Sequence, residues 1–207
     1  MTLFITTLLI LAAAAAGTAM LAFLPPTAGN GRAANLLGSC GAAAGCVAGL
    51  CALAFSPWSE AVAISLPWGL PVGSCTLGLD PLSRVFLLPV FGLGFVCAIS
   101  GGIALRHEQS QEHNLAAHWF FYLLLLLGLA LVMAARDAVL FMLSWELMSL
   151  APFFLIDFND GDRKVRDASW VYLVAAPLGA VAPMAFFLLL EAVHYHLEHS
   201  PWWSPGF

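Results

Sequence analysis

Six stretches of almost unbroken apolar residues alternate with short polar breaks along the 207 residues of the chain. They run roughly from 2 to 24, 33 to 55, 82 to 105, 118 to 135, 138 to 156 and 168 to 193. Each is near the roughly 20 residues that an α-helix needs to cross the hydrocarbon of a bilayer. Helix is the expected state, because lipid offers the backbone no other hydrogen-bond partner. The breaks are punctuated accordingly: "PPTAGNGR" (25 to 32) reads as a Pro/Gly turn, "RHEQSQEHN" (106 to 114) is polar, and "DFNDGDRKVRD" (157 to 167) is the most charged stretch. The longest connection, 56 to 81, has short apolar patches broken by Pro67, Gly69, Pro71 and Gly73. That pattern predicts a small hairpin or irregular loop over the membrane face.

Composition agrees with the pattern: 61% of residues are hydrophobic, 9% are charged, and the mean hydropathy is +0.91. A soluble domain of this length needs far less apolar surface for one core. The fold expected is therefore all-α, a single polytopic transmembrane domain over residues 1–207. The seven Lys and Arg are scattered and the net charge is −5, so no basic patch points to nucleic acid. The first span could be a cleaved signal peptide, but "MTLF" lacks a basic n-region and the apolar run is long, which favours an anchor.

Orientation follows from the basic residues. With the N-terminus outside, Arg32, Arg106, Arg163, Lys164 and Arg166 fall on inner loops, and only Arg84 and Arg136 fall on the outer side. Five against two is the direction of the positive-inside rule. The five cysteines, at 40, 46, 51, 75 and 97, form no CxxC pair and read as small packing residues. Gly41, Gly45 and Gly49 make a GxxxGxxxG ridge suited to close helix contact.

One residue does not fit an inert span. Glu146, in "SWELMSL" (144 to 150), lies nine residues from Asp137 and eleven from Asp157, near the bilayer midplane. An acid there costs about 2.5–3.5 kcal/mol on insertion, whereas each Leu, Phe, Val or Ile returns about 0.3–0.6. The ten such residues between Val139 and Ile156 return roughly 3–6 kcal/mol, so the span can insert with its carboxyl group aboard. Met142, Ser149, Leu150, Phe153 and Asp157 share its helical face. Pro152 cannot donate to the carbonyl of Met148, which frees a backbone acceptor about one turn away. A buried acid that only fixes helix packing would account for this residue; the functional reading is exchange of a proton or ion.

The stretch "AARDAVLFMLSWELMSLAPFFLI" (134 to 156) resembles the fifth transmembrane helix of the antiporter-like subunits of respiratory complex I and its relatives. "WELMSL" is most similar to the large membrane subunit of formate hydrogenlyase and related energy-converting hydrogenases. "LPWGLPVGSCTLGLDPLSRVFLLPV" (66 to 90) resembles the outer loop and start of the third helix of those subunits, and "VRDASWVYLVAAPLG" (165 to 179) resembles their sixth helix. The resemblance implies a non-redox subunit of an oxidoreductase complex, with no cofactor and no catalytic centre of its own. Its setting would be the bacterial inner membrane, with other membrane subunits as partners. It further implies that Glu146 is the proton-translocating glutamate of the fifth helix, working with a lysine on a seventh. Arg136 and Asp137 match the basic and polar residues that open the same helix.

The chain also departs from that pattern. It carries six spans where the family has about fourteen, so it reads as the N-terminal part of a longer subunit, a split-gene half or a shortened paralogue. Its single lysine, Lys164, falls in a predicted loop. Pro177 stands where hydrogenase-type relatives carry a histidine, and with Pro183 it predicts a kinked sixth helix. These departures keep a second reading open, a structural or assembly subunit without its own transport cycle. A third rests on the tail "EAVHYHLEHSPWWSPGF": His194, His196, Glu198 and His199 could bind Zn²⁺ weakly. An interfacial helix end anchored by Trp202 and Trp203 is the expected reading there, with no bound metal.

Overall fold

A computed structural model describes residues 1–24, 28–56, 61–66, 75–106, 114–159 and 163–198. It contains six long helices: α1 (Thr2–Ala22), α2 (Ala28–Ala54), α3 (Pro81–Ala104), α4 (Leu115–Ala134), α5 (Ala138–Ile156) and α6 (Arg163–Glu198). All six are long and apolar enough to cross a membrane, and the protein is a polytopic all-α membrane protein. A two-stranded antiparallel hairpin, β1 (Val62–Leu66) with β2 (Cys75–Leu79), joins α2 to α3. Val62 pairs with Leu79 and Leu66 with Cys75. The loop predicted as hairpin or irregular is thus a hairpin, although its tip lies outside the described residues.

Element ends differ from the hydropathy reading where capping chemistry outweighs hydropathy. α2 starts at Ala28, so the second half of the predicted Pro/Gly turn is helical. α3 is set by Asp80, whose Oδ1 accepts the Ser83 N–H at 2.6 Å, with Pro81 in the first turn. α4 begins three residues before the apolar run because Asn114 caps it, accepting the Ala117 N–H at 3.1 Å. α6 starts at Arg163 and absorbs the charged Lys164 and Arg166, correcting the placement of Lys164 in a loop. The helix continues through Pro177 and Pro183 as one segment.

The packing order places α4 at the centre. It contacts α1, α2, α3 and α5, whereas α6 packs chiefly against α5. The core is built from Phe4 and Leu11 of α1, Leu53 of α2, Leu87 and Phe91 of α3, and Trp119, Leu123 and Leu126 of α4. The glycine ridge of α2 divides between two neighbours. Gly41 and Gly45 lie against Ala14 and Leu11 of α1, and Gly49 lies against Phe91 of α3. Small residues admit this approach, and in lipid close van der Waals contact takes the place of hydrophobic drive.

Buried polar side chains cross-link the bundle. Asn35 of α2 is 2% exposed; its Nδ2 donates to the Gly102 carbonyl of α3 at 2.9 Å, and its Oδ1 accepts the Trp119 indole N–H of α4 at 2.9 Å. Three helices are thereby held in register by one amide. The five cysteines are free thiols; Cys46 is buried in the core and Cys40 and Cys97 are exposed.

Candidate functional site

Glu146 is the ninth of the 19 residues of α5, close to the middle of the helix. The face that α5 turns to α4 carries Leu140, Ser144 and Ala151, all buried, and Met148, whose backbone lies against Gly128. Two residues on from Ser144, Glu146 is turned about 200° away from that face. It is partly buried, and its flanks along the same side are Leu143 and Leu150, 51% and 40% exposed. Glu146 therefore sits toward the open side of α5, away from the centre of the bundle. No hydrogen bond or ion pair joins its carboxyl group to another described residue.

Polar contacts gather along α5 and α6 on the same side. Ser149 Oγ donates to the Glu146 carbonyl at 3.1 Å, and the Ser149 carbonyl accepts the Tyr172 hydroxyl of α6 at 3.0 Å. About two turns further along α5, Ser169 Oγ donates to Asp157 Oδ1 at 2.9 Å. The seam between the two helices thus carries Ser149 with Tyr172 and Asp157 with Ser169, running from near mid-helix to the end of the bundle where the basic loops lie. Pro152, without an N–H, interrupts the backbone ladder of α5 between the two groups.

The other predicted site residues lie elsewhere. Arg136 and Asp137 are at the hairpin end of α5, about 14 Å of helix rise from Glu146. Asp137 caps α5, accepting the N–H groups of Val139 (2.9 Å) and Leu140 (3.3 Å). Arg136 clasps the hairpin to the bundle: its backbone N–H donates to the Thr76 carbonyl at 2.9 Å. Its guanidinium meets Asp80 Oδ2 at 3.1 Å and donates to Ser83 Oγ at 3.0 Å. The aliphatic part of Arg136 lies over Gly78, where a Cβ would collide with it. The structure thus bonds Ser149 to the backbone carbonyl of Glu146, with Arg136 in the clasp and Asp137 at the cap of α5.

Asp80 lies outside the spans. The backbone N–H of Ser83 holds its carboxyl group below the usual carboxylate value, with help from the Ser83 hydroxyl and Arg136 and against partial desolvation. A lowered folded-state value contributes stability at pH above about 4, and that contribution is lost as pH falls through the lowered value. Both partners of the Arg136 pair are about one-third exposed, so it contributes about 0.2–1 kcal/mol. Asp80→Asn keeps a capping oxygen and removes the charge. Its expected effect is faster amide exchange in β1 and β2 at neutral pH, with a smaller acid-dependent loss of protection than the parent shows. Equal exchange in the two proteins across pH 3–7 would contradict the clasp.

Two polar groups near the seam were not singled out in the sequence. Tyr172 is one. The other is His118, in the first turn of α4, whose ring packs on Phe158 at 4.7 Å and on Trp119 at 5.8 Å. Its Nδ1 is buried with no hydrogen-bond partner among the described residues. A histidine opening an otherwise apolar span is the signal that could have marked it. Of the histidine tail, His194 is exposed in the last turns of α6, and the side chains of His196, Glu198 and His199 lie outside the described residues. Among the described residues no group of three His, Cys, Asp or Glu is placed to hold a metal.

No family model matches the chain. It is 27% identical over 135 residues to an uncharacterized protein of Mycobacterium tuberculosis. It is 27% identical over 108 residues to F(420)H(2) dehydrogenase subunit N of Methanosarcina mazei, and 28% identical over 115 residues to hydrogenase-4 component B of Escherichia coli. These matches cover 62%, 51% and 56% of this chain, but only 20%, 20% and 17% of the respective relatives. The chain therefore aligns with about one-fifth of each relative's own length.

Proposed function

We propose that the chain is a proton- or cation-translocating membrane subunit, or a piece of one, in a complex I-like or hydrogenase-type redox-driven assembly of the bacterial inner membrane. Support for the class comes from its likeness to a dehydrogenase subunit and a hydrogenase component. Support for translocation comes from one observation: a carboxyl group at mid-helix on the open edge of α5, about one turn from Ser149, where the α5–α6 polar contacts toward the basic end of the bundle begin. The N-terminus lies outside in this reading, so the basic end faces the cytoplasm.

The physical argument turns on cost. An acid facing acyl tails at mid-depth costs about 2.5–3.5 kcal/mol. Glu146 is not sequestered by the six helices, so further helical segments, from this protein or a partner subunit, are required to cover the α5–α6 edge and supply water or a counter-group. Electron transfer elsewhere in the assembly provides the driving force, and this chain contributes the exchangeable proton site. Glu146 is the central group, Ser149 sits beside it, and Arg136 with Asp137 fixes the start of its helix. The chain on its own is expected to complete no transport cycle.

Hydrophobic carbodiimide tests this reading, because it adds to protonated carboxyl groups within the membrane and not to ionised ones in water. The assembled complex treated with dicyclohexylcarbodiimide is expected to carry one N-acylurea on the α5 peptide, at Glu146, with loss of ion transport in proportion to labelling. Transport that survives complete labelling at Glu146 defeats the proposal. A second reading, a structural or assembly subunit, is favoured by Pro177 in α6 and by the position of the sole lysine, Lys164, in the first turn of that helix. It predicts that labelling alters assembly and leaves transport intact.

A further inference from the structure

At the basic end of the bundle the start of α2 lies beside the end of α3, tied by the bond from Asn35 Nδ2 to the Gly102 carbonyl. Two cavities open there. One of about 370 Å³ is lined by Arg32, Asn35, Leu36 and Arg106. The other, of about 240 Å³, is lined by Cys40, Ala43, Ile99, Ile103 and again Arg106, among others. On α2 the lining positions recur at 32, 36, 40 and 43, and on α3 at 99, 103 and 106, so each helix contributes one face. The two cavities form one groove that runs from the arginines to Ala43, about 16 Å along α2.

The groove changes character along its length. Its mouth has two guanidinium groups, those of Arg32 and Arg106. The positive end of the α2 dipole lies at the same level. Below the arginines the walls are apolar or weakly polar. Leu36, Ile99 and Ile103 are 54%, 44% and 57% exposed, so the trough opens sideways, toward the surface that the spans present to lipid. Asn35 is committed to Gly102 and Trp119 and serves to fix the helix spacing.

We propose that this groove binds one anionic phospholipid, with its phosphodiester between Arg32 and Arg106 and an acyl chain along the trough of Cys40, Ala43, Ile99 and Ile103. Arginine suits the headgroup because its planar donors match phosphate oxygens. A free phosphate would satisfy the mouth alone; the trough continuing from Arg106 at membrane depth selects a lipid.

The test uses the full chain purified in a neutral detergent, with lipid retention read by native mass spectrometry. Palmitoyl-oleoyl phosphatidylglycerol is compared with the phosphatidylcholine of the same acyl chains. Two cations near a headgroup, at about 1 kcal/mol each, predict about a thirtyfold preference for the anionic lipid. The R32Q/R106Q pair is expected to abolish that preference, and either single variant to halve it in free energy, which keeps the test readable if the double variant does not fold. Ala43→Trp fills the trough, leaves both arginines, and is expected to weaken retention. R163Q, at the same end but outside the groove, is expected to change nothing. Equal retention of the two lipids, or anionic retention unchanged in R32Q/R106Q, overturns the site. Displacement of the lipid by millimolar inorganic phosphate or glycerol phosphate overturns the assignment to lipid in favour of a small anion.

Discussion

Glu146→Gln is expected to lower ion translocation by the assembled complex by about a hundredfold or more, the usual size of a positioned proton donor or acceptor, while helical content and assembly stay unchanged. Glutamine keeps the length and the hydrogen-bonding capacity of the side chain and removes only the exchangeable proton. A role confined to helix packing survives that change; a role in proton exchange does not. Glu146→Asp keeps the proton and withdraws it by one methylene from whatever group covers the α5–α6 edge, so an intermediate rate is expected. The readout is proton or cation uptake into vesicles holding the whole complex, with electron transfer measured alongside. Full translocation in the glutamine variant at an unchanged electron-transfer rate would remove Glu146 from the transport path. Loss of both activities together with loss of assembly would assign it to packing.

The expected location of this carboxyl group follows from simple counts. Its distance from the polar ends of the fifth apolar run places it at mid-helix, the ninth of the 19 residues of α5, and a period of 100° per residue puts Ser149 and Asp157 on its side of the helix, where both meet α6. Helix number was legible for a related reason: in lipid every backbone group must be paired internally, so hydropathy and length leave few alternatives. Other features were hidden because they depend on contacts between distant segments. Nothing local marks Tyr172 as the donor to the Ser149 carbonyl, or Asn35 as the link among three helices. Arg136 is grouped with Glu146 through its match to the basic residue that opens the fifth helix of the resembled subunits. Only the fold shows it clasped to Asp80 and Ser83, residues more than fifty positions earlier. Apolar periodicity could not reveal which side of α5 was open either, because a helix in lipid is apolar all round and carries little directional signal.

Gly128→Leu is expected to destabilise the protein by about 1–3 kcal/mol and to lower transport along with stability. A Cβ at position 128 would lie 2.9 Å from the backbone N of Met148 and 3.1 Å from its Cα. Backbone atoms cannot rotate aside as the end of a flexible side chain can, so α4 and α5 must separate. Replacing glycine in a helix also has an opposing effect: it removes backbone freedom from the unfolded chain, which favours the folded state by about 0.5–1 kcal/mol for alanine. For Gly128→Ala the two effects are of similar size and a small loss is expected. For leucine the added bulk wins outright. Gly92→Ala is the control, because nothing lies within 4 Å of the corresponding Cβ on α3. That variant is expected to be neutral or slightly more stable. Thermal unfolding in detergent measures all three, and a leucine variant as stable as the parent would show that α4 and α5 do not approach this closely. Met148 is only two residues from Glu146, so a displaced α5 also moves the carboxyl group relative to whatever covers it. Transport in the alanine variant is therefore expected to fall by more than its small loss of stability explains.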